Sequence, residues 1–112
     1  MAYITLTPTA TRYKINAGST PLGETTHAVT LQEGSAAPVL YIPRADIDMK
    51  KLSKTDRQTN CPHKGACSYY SVQTDAGLLE NAVWSYEAPK QGVEAIAGHL
   101  AFYPNKISVT PA

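Results

Sequence analysis

The stretch "SYYSVQTDAGLLENAVWSY", residues 68–86, contains two alternating segments on either side of "DAG". A short glycine-containing turn between two such segments is typical of a β-hairpin. Because side chains alternate along a strand, the second segment is expected to carry both of its aromatic residues on one face. That face comprises Glu80, Ala82, Trp84 and Tyr86. The hairpin predicts a protein built from antiparallel strands.

Similar segments flank this hairpin in both directions. "YITLT", "TRYKIN", "TTHAVTLQ" and "VLYI" precede it, and proline or glycine-rich turns separate them, which is the pattern of all-β proteins. Residues 44–60 are less regular and predict a connector with at most one helical turn. Residues 92–97 are the best candidate for a short helix, since Gly98 supplies a stop. "HLAFY" and "ISV" are expected to close the chain as a final hairpin.

Length and charge narrow the class of protein. With 112 residues, the chain is expected to form one domain over residues 1–112. Its formal net charge of +1 argues against a general binder of nucleic acids or membrane surfaces, which would need a basic excess. The N-terminus does not resemble a signal peptide, and no apolar run reaches the roughly 20 residues of a membrane span. We therefore expect a cytoplasmic protein with reduced cysteines and no cofactor.

The basic residues are unevenly distributed. Between Arg44 and Lys64 the sequence has six basic and three acidic residues, whereas the remainder has four basic and six acidic ones. One interpretation is a solvated, lysine-rich connector. The alternative is a basic rim around a pocket for a small molecule with an anionic group.

The segment "TNCPHKGACSYYS", residues 59–71, holds both cysteines of the chain. Two cysteines at this spacing do not make a zinc site. Cys61 is expected in a loop, where the positive charge of Lys64 would favour a reactive thiolate, although a lone cysteine can equally be a small buried side chain. Gly65 would allow a tight turn or a close approach to a ligand. Cys67 opens an alternating strand and is expected to be structural.

The aromatic residues allow two interpretations. Trp84, Tyr86 and Tyr103 can be residues at the edge of the core whose N–H and O–H groups reach partners. If several of them converge with Tyr70, they would instead form the concave aromatic wall of a small-molecule pocket.

Five blocks, "YIPRADI", "TNCPHKG", "SYYSV", "NAVWSYEAP" and "IAGHLAFYPNKI", occur in an order and spacing that resemble the bacterial domain of unknown function 427 family. The family also carries a nucleotidyltransferase-like label, but this sequence lacks the glycine-serine motif and paired aspartates of such enzymes. The family positions matched here are Arg44, Cys61, Lys64, Gly65, Tyr70, Trp84, Tyr86, Pro89, Gly98, Phe102 and Tyr103.

The resemblance implies a β-tent-like fold, similar to methionine sulfoxide reductase B and the ligand-binding domain of cereblon. Those relatives commonly hold zinc through two CxxC pairs, which this chain lacks. We therefore expect a small, zinc-free, two-sheet domain with one short helix near the C-terminus. The resemblance also implies a ligand site on a sheet face lined by aromatic residues.

Three functions remain open at this point. The first is binding of an unidentified small molecule, with Trp84, Tyr86, Tyr70 and Tyr103 as the wall and with Arg44, Lys64 and Gly65 around an anionic group. The second is an enzyme that uses Cys61 with Lys64, or the transferase of the family label. The third is an interaction module that docks a peptide or protein on the same aromatic face. An enclosed pocket favours the first and a flat exposed patch the third.

Overall fold

The computed structural model describes residues 3–112. Strands account for 56% of the chain and helical residues for 8%, so the predicted all-β class is confirmed. The strands are β1 (Ile4–Pro8), β2 (Tyr13–Ala17), β3 (Thr20–Thr25), β4 (Val29–Glu33), β5 (Val39–Tyr41), β6 (Leu52–Cys61), β7 (Gly65–Thr74), β8 (Gly77–Ser85), β9 (Ala101–Phe102) and β10 (Ser108–Pro111). Single 3-10 turns lie at Arg44–Asp46, Met49–Lys51 and Glu94–Ile96.

The strands form three antiparallel sheets, not the two that the sequence predicts. Their strand orders are β1-β4-β5, β10-β2-β3 and β6-β7-β8-β9. Two isolated bridges, Gly23 with Ile47 and Ile42 with Leu100, connect residues outside these ladders. The alternating pattern shows that each strand has one buried face, but it does not select the partner, so the number of sheets could not follow from it.

The predicted hairpin of residues 68–86 is present as β7 and β8, which join through the turn before Gly77. Its register is broken on both sides of β7. Residues 55–57 of β6 lie opposite one β7 residue, Tyr69, and residues 80–82 of β8 lie opposite Ser71. Two extra residues at each of these places interrupt the alternation locally. Ala82 and Val83 therefore belong to the same core cluster, and the predicted alternation from Glu80 to Tyr86 holds only from Trp84 onward.

The four-stranded sheet contributes to two apolar clusters. Its residues Val72, Val83 and Phe102 pack with side chains of β2 and β3. Its residues Tyr69 and Ala101 pack with side chains of β4 and β5. Neighbouring residues of one strand thus point into different clusters, and residues 67–72 of β7 are buried without alternation. The central strand β7 is therefore covered on both faces over residues 67–72.

Three local predictions differ from the structure. The irregular segment 44–60 contains most of β6, a long polar strand that the sequence pattern missed because it pairs on one side only. The helix expected at residues 92–97 is a single 3-10 turn at Glu94–Ile96, since two helical turns are too short to persist without strong packing. The expected final hairpin does not form, because β9 pairs with β8 whereas β10 pairs with β2.

Among residues 3–112, the structure contains no helix with the length and the apolar character that a membrane crossing requires.

Candidate functional site

Arg44 begins the 3-10 turn that follows Pro43 and is the centre of a polar network. Its Nε donates to the Gly98 carbonyl oxygen at 3.2 Å, and its Nη1 donates to the Tyr70 hydroxyl at 3.2 Å. Its guanidinium carbon lies 5.3 Å from the centre of the Tyr70 ring. Three positions of the family pattern therefore meet here through one side chain.

Glu87 completes this network as the acceptor for three groups. Its carboxylate accepts from Arg44 Nη2 at 3.2 Å, from Tyr70 Oη at 2.9 Å and from Lys54 Nζ at 2.7 Å. The hydrogen bond from Lys54 is the main cause that lowers the pKa of the Glu87 carboxyl below its ordinary value, and partial burial opposes it. Arg44 and Lys54 thus share one carboxylate within the protein, and an anionic ligand at Arg44 would compete with Glu87.

Cys61 and Gly65 flank the turn between β6 and β7. Cys61 was expected in a loop, but it is the last residue of β6 and pairs with Gly65 across the ladder. Gly65 has a φ of 111°, a conformation that favours glycine at the turn. The Lys90 side chain closes the turn, because its Nζ donates to the Pro62 carbonyl oxygen at 2.8 Å. The glycine therefore serves the turn geometry of this hairpin.

Lys64 lies in the same turn, but its ammonium group contacts Glu33 and Tyr86 and not the Cys61 thiol. Its Nζ lies 3.0 Å from Glu33 Oε1 and 5.6 Å from the centre of the Tyr86 ring. Only 13% of its side chain is exposed. Within residues 3–112, no hydrogen bond or ion pair joins Lys64 to Cys61 or to Arg44. The two predicted anion-binding cations therefore pair with different carboxylates and do not converge on one site.

Both cysteines are free thiols. Cys67 is 2% exposed and belongs to the apolar cluster that contains Tyr69 and Ala101, in agreement with the structural role expected for it. Cys61 is half-buried and packs against the same cluster. In the described part of the chain, no histidine or carboxylate is hydrogen-bonded to Cys61, so no general base is poised to activate this thiol.

The aromatic residues form a packed cluster. The ring centres of Trp84 and Tyr103 lie 4.6 Å apart, and those of Tyr41 and Trp84 lie 6.5 Å apart, edge to face. Trp84 Nε1 donates to Tyr41 Oη at 3.2 Å. Burial raises the pKa of Tyr41 to about 12 and raises that of Tyr86 further still. These phenols are therefore neutral at physiological pH and complete the core between β5, β7 and β8.

Two members of this cluster were missed, and one predicted member is elsewhere. Tyr41 and Tyr69 belong to it, whereas Tyr70 points into the other cluster with Arg44. The predicted wall of four aromatic residues was therefore wrong in the placement of Tyr70. The tandem Tyr69–Tyr70 carried the signal, because consecutive residues of a strand face opposite ways and only one could join Trp84.

Trp84 has one edge outside this core, at a cleft of about 340 Å³ that we term the apolar cleft. Its walls come from the segment before β5, from β5 itself and from the chain between β9 and β10. The lining residues are Ala37, Pro38, Val39, Leu40, Trp84, Phe102, Pro104, Ile107 and Val109. Charged side chains are absent from this lining. The apolar cleft thus contains two family positions, Trp84 and Phe102, and none of the predicted cations.

The described residues do not include a group of three or more histidine, cysteine, aspartate or glutamate side chains that could hold a metal ion.

No curated protein matches the chain. The sequence profile of the family described as domain of unknown function (DUF427) matches residues 5–111 and therefore spans all ten strands except the first residue of β1. The resemblance that the five sequence blocks indicated is confirmed, and the chain belongs to the DUF427 family.

Proposed function

We propose that this protein binds a small molecule and that an uncharged, planar part of the ligand occupies the apolar cleft beside Trp84. The observation that carries the proposal is the volume of about 340 Å³ behind an apolar lining. Small-molecule sites in proteins generally have volumes of about 300–1,000 Å³ and mostly apolar walls. The cleft is at the lower end of that range, which favours a ligand with one or two rings.

The chemistry of the walls supports an uncharged ligand. The Trp84 indole N–H already donates to Tyr41, so the part of the indole at the cleft offers a ligand only apolar atoms. A charged group placed among Val39, Phe102 and Ile107 would lose hydration without gaining a partner. Pro38 and Pro104 restrict the backbone of the lining, which favours a preformed cleft.

This site differs from the one that the sequence analysis outlined. Arg44 and Lys64 were expected beside the aromatic wall, but both are paired with carboxylates outside the apolar cleft. The proposal therefore keeps Trp84 from the predicted wall and adds Phe102 and β10. Tyr103 contributes indirectly, because its tilted ring packs against Trp84.

An interaction module is less well supported. Among the described residues, Tyr3 and Leu78 are the large apolar side chains that are well exposed, at 80% and 52%. Two separate residues do not make the contiguous apolar patch of a protein-binding face. An enzyme that uses Cys61 is also less well supported, because Cys61 does not line the apolar cleft.

The proposal is tested with a thermal-shift screen of uncharged one- and two-ring compounds, indole and 2-naphthol included. A compound that stabilises the protein should change the Trp84 fluorescence with the same midpoint, since Trp84 is the only tryptophan. Substitution Val109→Phe should fill the cleft and weaken binding at least tenfold. Thr110→Phe, on the neighbouring exposed position of β10, is the matched control and should bind normally.

Two results would overturn the proposal. The first is a spectrum that does not change when a stabilising compound is saturating. The second is equal binding by Val109→Phe and Thr110→Phe.

A further inference from the structure

A second cleft, of about 400 Å³, lies where the bulged segments of β6 and β8 meet the turn after β9. We term it the bulge cleft. It is lined by Arg57, Glu80, Asn81, Tyr103, Asn105 and Lys106. All six side chains carry hydrogen-bonding groups, which distinguishes this cleft from the apolar one. Tyr103 belongs to the family pattern, whereas the other five residues were not among the candidates from the sequence.

We propose that the bulge cleft binds the phosphate group of a small, hydroxyl-bearing phosphate ester. This proposal does not depend on the apolar cleft, because the two linings share no residue. It also places the anion-binding chemistry away from Arg44 and Lys64, where the sequence analysis had expected it.

The bulge cleft contains two cations, Arg57 and Lys106. Within residues 3–112, neither Arg57 nor Lys106 forms an ion pair, whereas Arg12, which lines another polar cleft, is matched by Glu24 at 2.8 Å. The Arg57 guanidinium carbon lies 4.7 Å from the centre of the Tyr69 ring, which positions it without neutralising it. Two unneutralised cations in one cleft favour an anionic ligand.

The bulge cleft also offers several hydrogen-bond donors to a ligand. Lys106 Nζ donates to the Glu80 carbonyl oxygen at 3.2 Å, which leaves two of its three N–H groups free. The Arg57 guanidinium can present two parallel N–H groups to phosphate oxygens. Together with the amides of Asn81 and Asn105, these groups exceed what the two oxygens of a carboxylate can accept. The three terminal oxygens of a phosphate monoester match them better.

The bulge in β8 fixes the position of Asn81. Asn81 has a φ of 50°, and its backbone N–H donates to Ser71 Oγ at 3.1 Å. Its side-chain oxygen accepts from Thr55 Oγ1 at 2.6 Å, so the bulges of β6 and β8 are joined through this amide. Its side-chain nitrogen makes no hydrogen bond within the described residues and remains available to a ligand. Bulges commonly redirect a side chain next to a site in this manner.

The lining also contains a neutral hydroxyl group, from Tyr103, and a carboxylate, from Glu80. Burial raises the pKa of the Tyr103 hydroxyl, so this residue adds no negative charge to the cleft. Glu80 is the one carboxylate of the lining, and its side chain is exposed. A bare anion gains nothing from Glu80, but a hydroxyl group of the ligand could donate to it. A phosphate ester with a neighbouring hydroxyl can therefore bind both the two cations and the Glu80 carboxylate.

The test is a titration of the ¹⁵N-labelled protein with glycerol 3-phosphate, followed by NMR, with glycerol and inorganic phosphate as separate probes. Glycerol 3-phosphate should produce saturable shifts of the Glu80, Asn81 and Lys106 amides. Substitution Lys106→Gln should raise the dissociation constant for glycerol 3-phosphate at least tenfold. Lys50→Gln, which removes one charge from another exposed lysine, is the matched control and should change it less than twofold.

Glu80→Gln separates the two parts of the proposed ligand. It should strengthen the binding of inorganic phosphate and reduce the preference for glycerol 3-phosphate over it. Shifts that grow linearly with concentration, or equal effects of Lys50→Gln and Lys106→Gln, would overturn the proposal. Saturable binding of glycerol without phosphate would also contradict it. None of these results bears on the apolar cleft, because no readout involves Trp84.

Discussion

Substitution of Glu87 by glutamine tests whether Arg44 and Tyr70 form a structural network. The Glu87 carboxylate accepts hydrogen bonds from Arg44, Tyr70 and Lys54 at 2.7–3.2 Å. A hydrogen bond to a charged group contributes about 1.5–3 kcal/mol when it is shielded, but an exposed ion pair contributes at most about 1 kcal/mol. The Glu87 side chain is 36% exposed, and glutamine retains one acceptor oxygen. We therefore expect Glu87→Gln to lower the free energy of unfolding by about 1 kcal/mol at pH 7.

The effect should depend on pH in a defined direction. The pKa of the Glu87 carboxyl is lowered in the folded protein from the ordinary value of 4.5, chiefly by the hydrogen bond from Lys54. The unfolded state therefore binds more protons as the pH falls below that ordinary value. The stability that Glu87 provides is complete above it and is lost as the pH falls through the lower folded pKa. The difference between the wild type and Glu87→Gln should accordingly vanish in acid.

The assay is urea denaturation of both proteins at pH 7, 5 and 3. Glu24→Gln is the matched control, because Glu24 also has a lowered pKa, through Arg12, but its side chain is more exposed, at 43%, and it has a single partner. Its effect at pH 7 should be smaller than that of Glu87→Gln. The reasoning is refuted if Glu87→Gln is as stable as the wild type at pH 7, or if its deficit persists undiminished at pH 3. The first result would leave Arg44 available for a ligand.

Two further predictions concern the fold and the thiols. Gly23→Ala should lower the free energy of unfolding by about 2–3 kcal/mol, because its Cβ would lie 2.0 Å from the Asp46 carbonyl oxygen. Gly34→Ala, with a φ of 56° and open space around it, should cost only about 1 kcal/mol in the same denaturation assay, and an equal cost would contradict the structure. Native-state alkylation with iodoacetamide should modify half-buried Cys61 before Cys67, which is 2% exposed. Mass spectrometry that finds Cys67 modified first would show this packing to be wrong.

The candidate site was predicted in part from particular residues. The alternation around Trp84 and Tyr86 placed both on one face, and the structure agrees because no bulge separates them. The same rule gave the wrong partner for Trp84 when it included Tyr70, since the choice between Tyr69 and Tyr70 depends on the register with β8. Spacing brought Lys64 near Cys61 in sequence. It could not reveal Glu33, which is far away along the chain and binds the Lys64 ammonium group.

The sequence by itself determined the all-β class, the central hairpin of residues 68–86 and the membership of the DUF427 family. These properties depend on period-two alternation, turn residues and the spacing of short motifs, all of which can be read along the chain. Only the tertiary structure decided which strands pair, where β6 and β8 bulge and which carboxylate neutralises each cation. Those outcomes depend on contacts between residues far apart in sequence, such as Arg57 with Tyr69 across a bulge or Arg44 with Glu87. The apolar cleft and the bulge cleft exist only where such distant segments meet. The pattern of residues along the chain does not specify which distant segments come together.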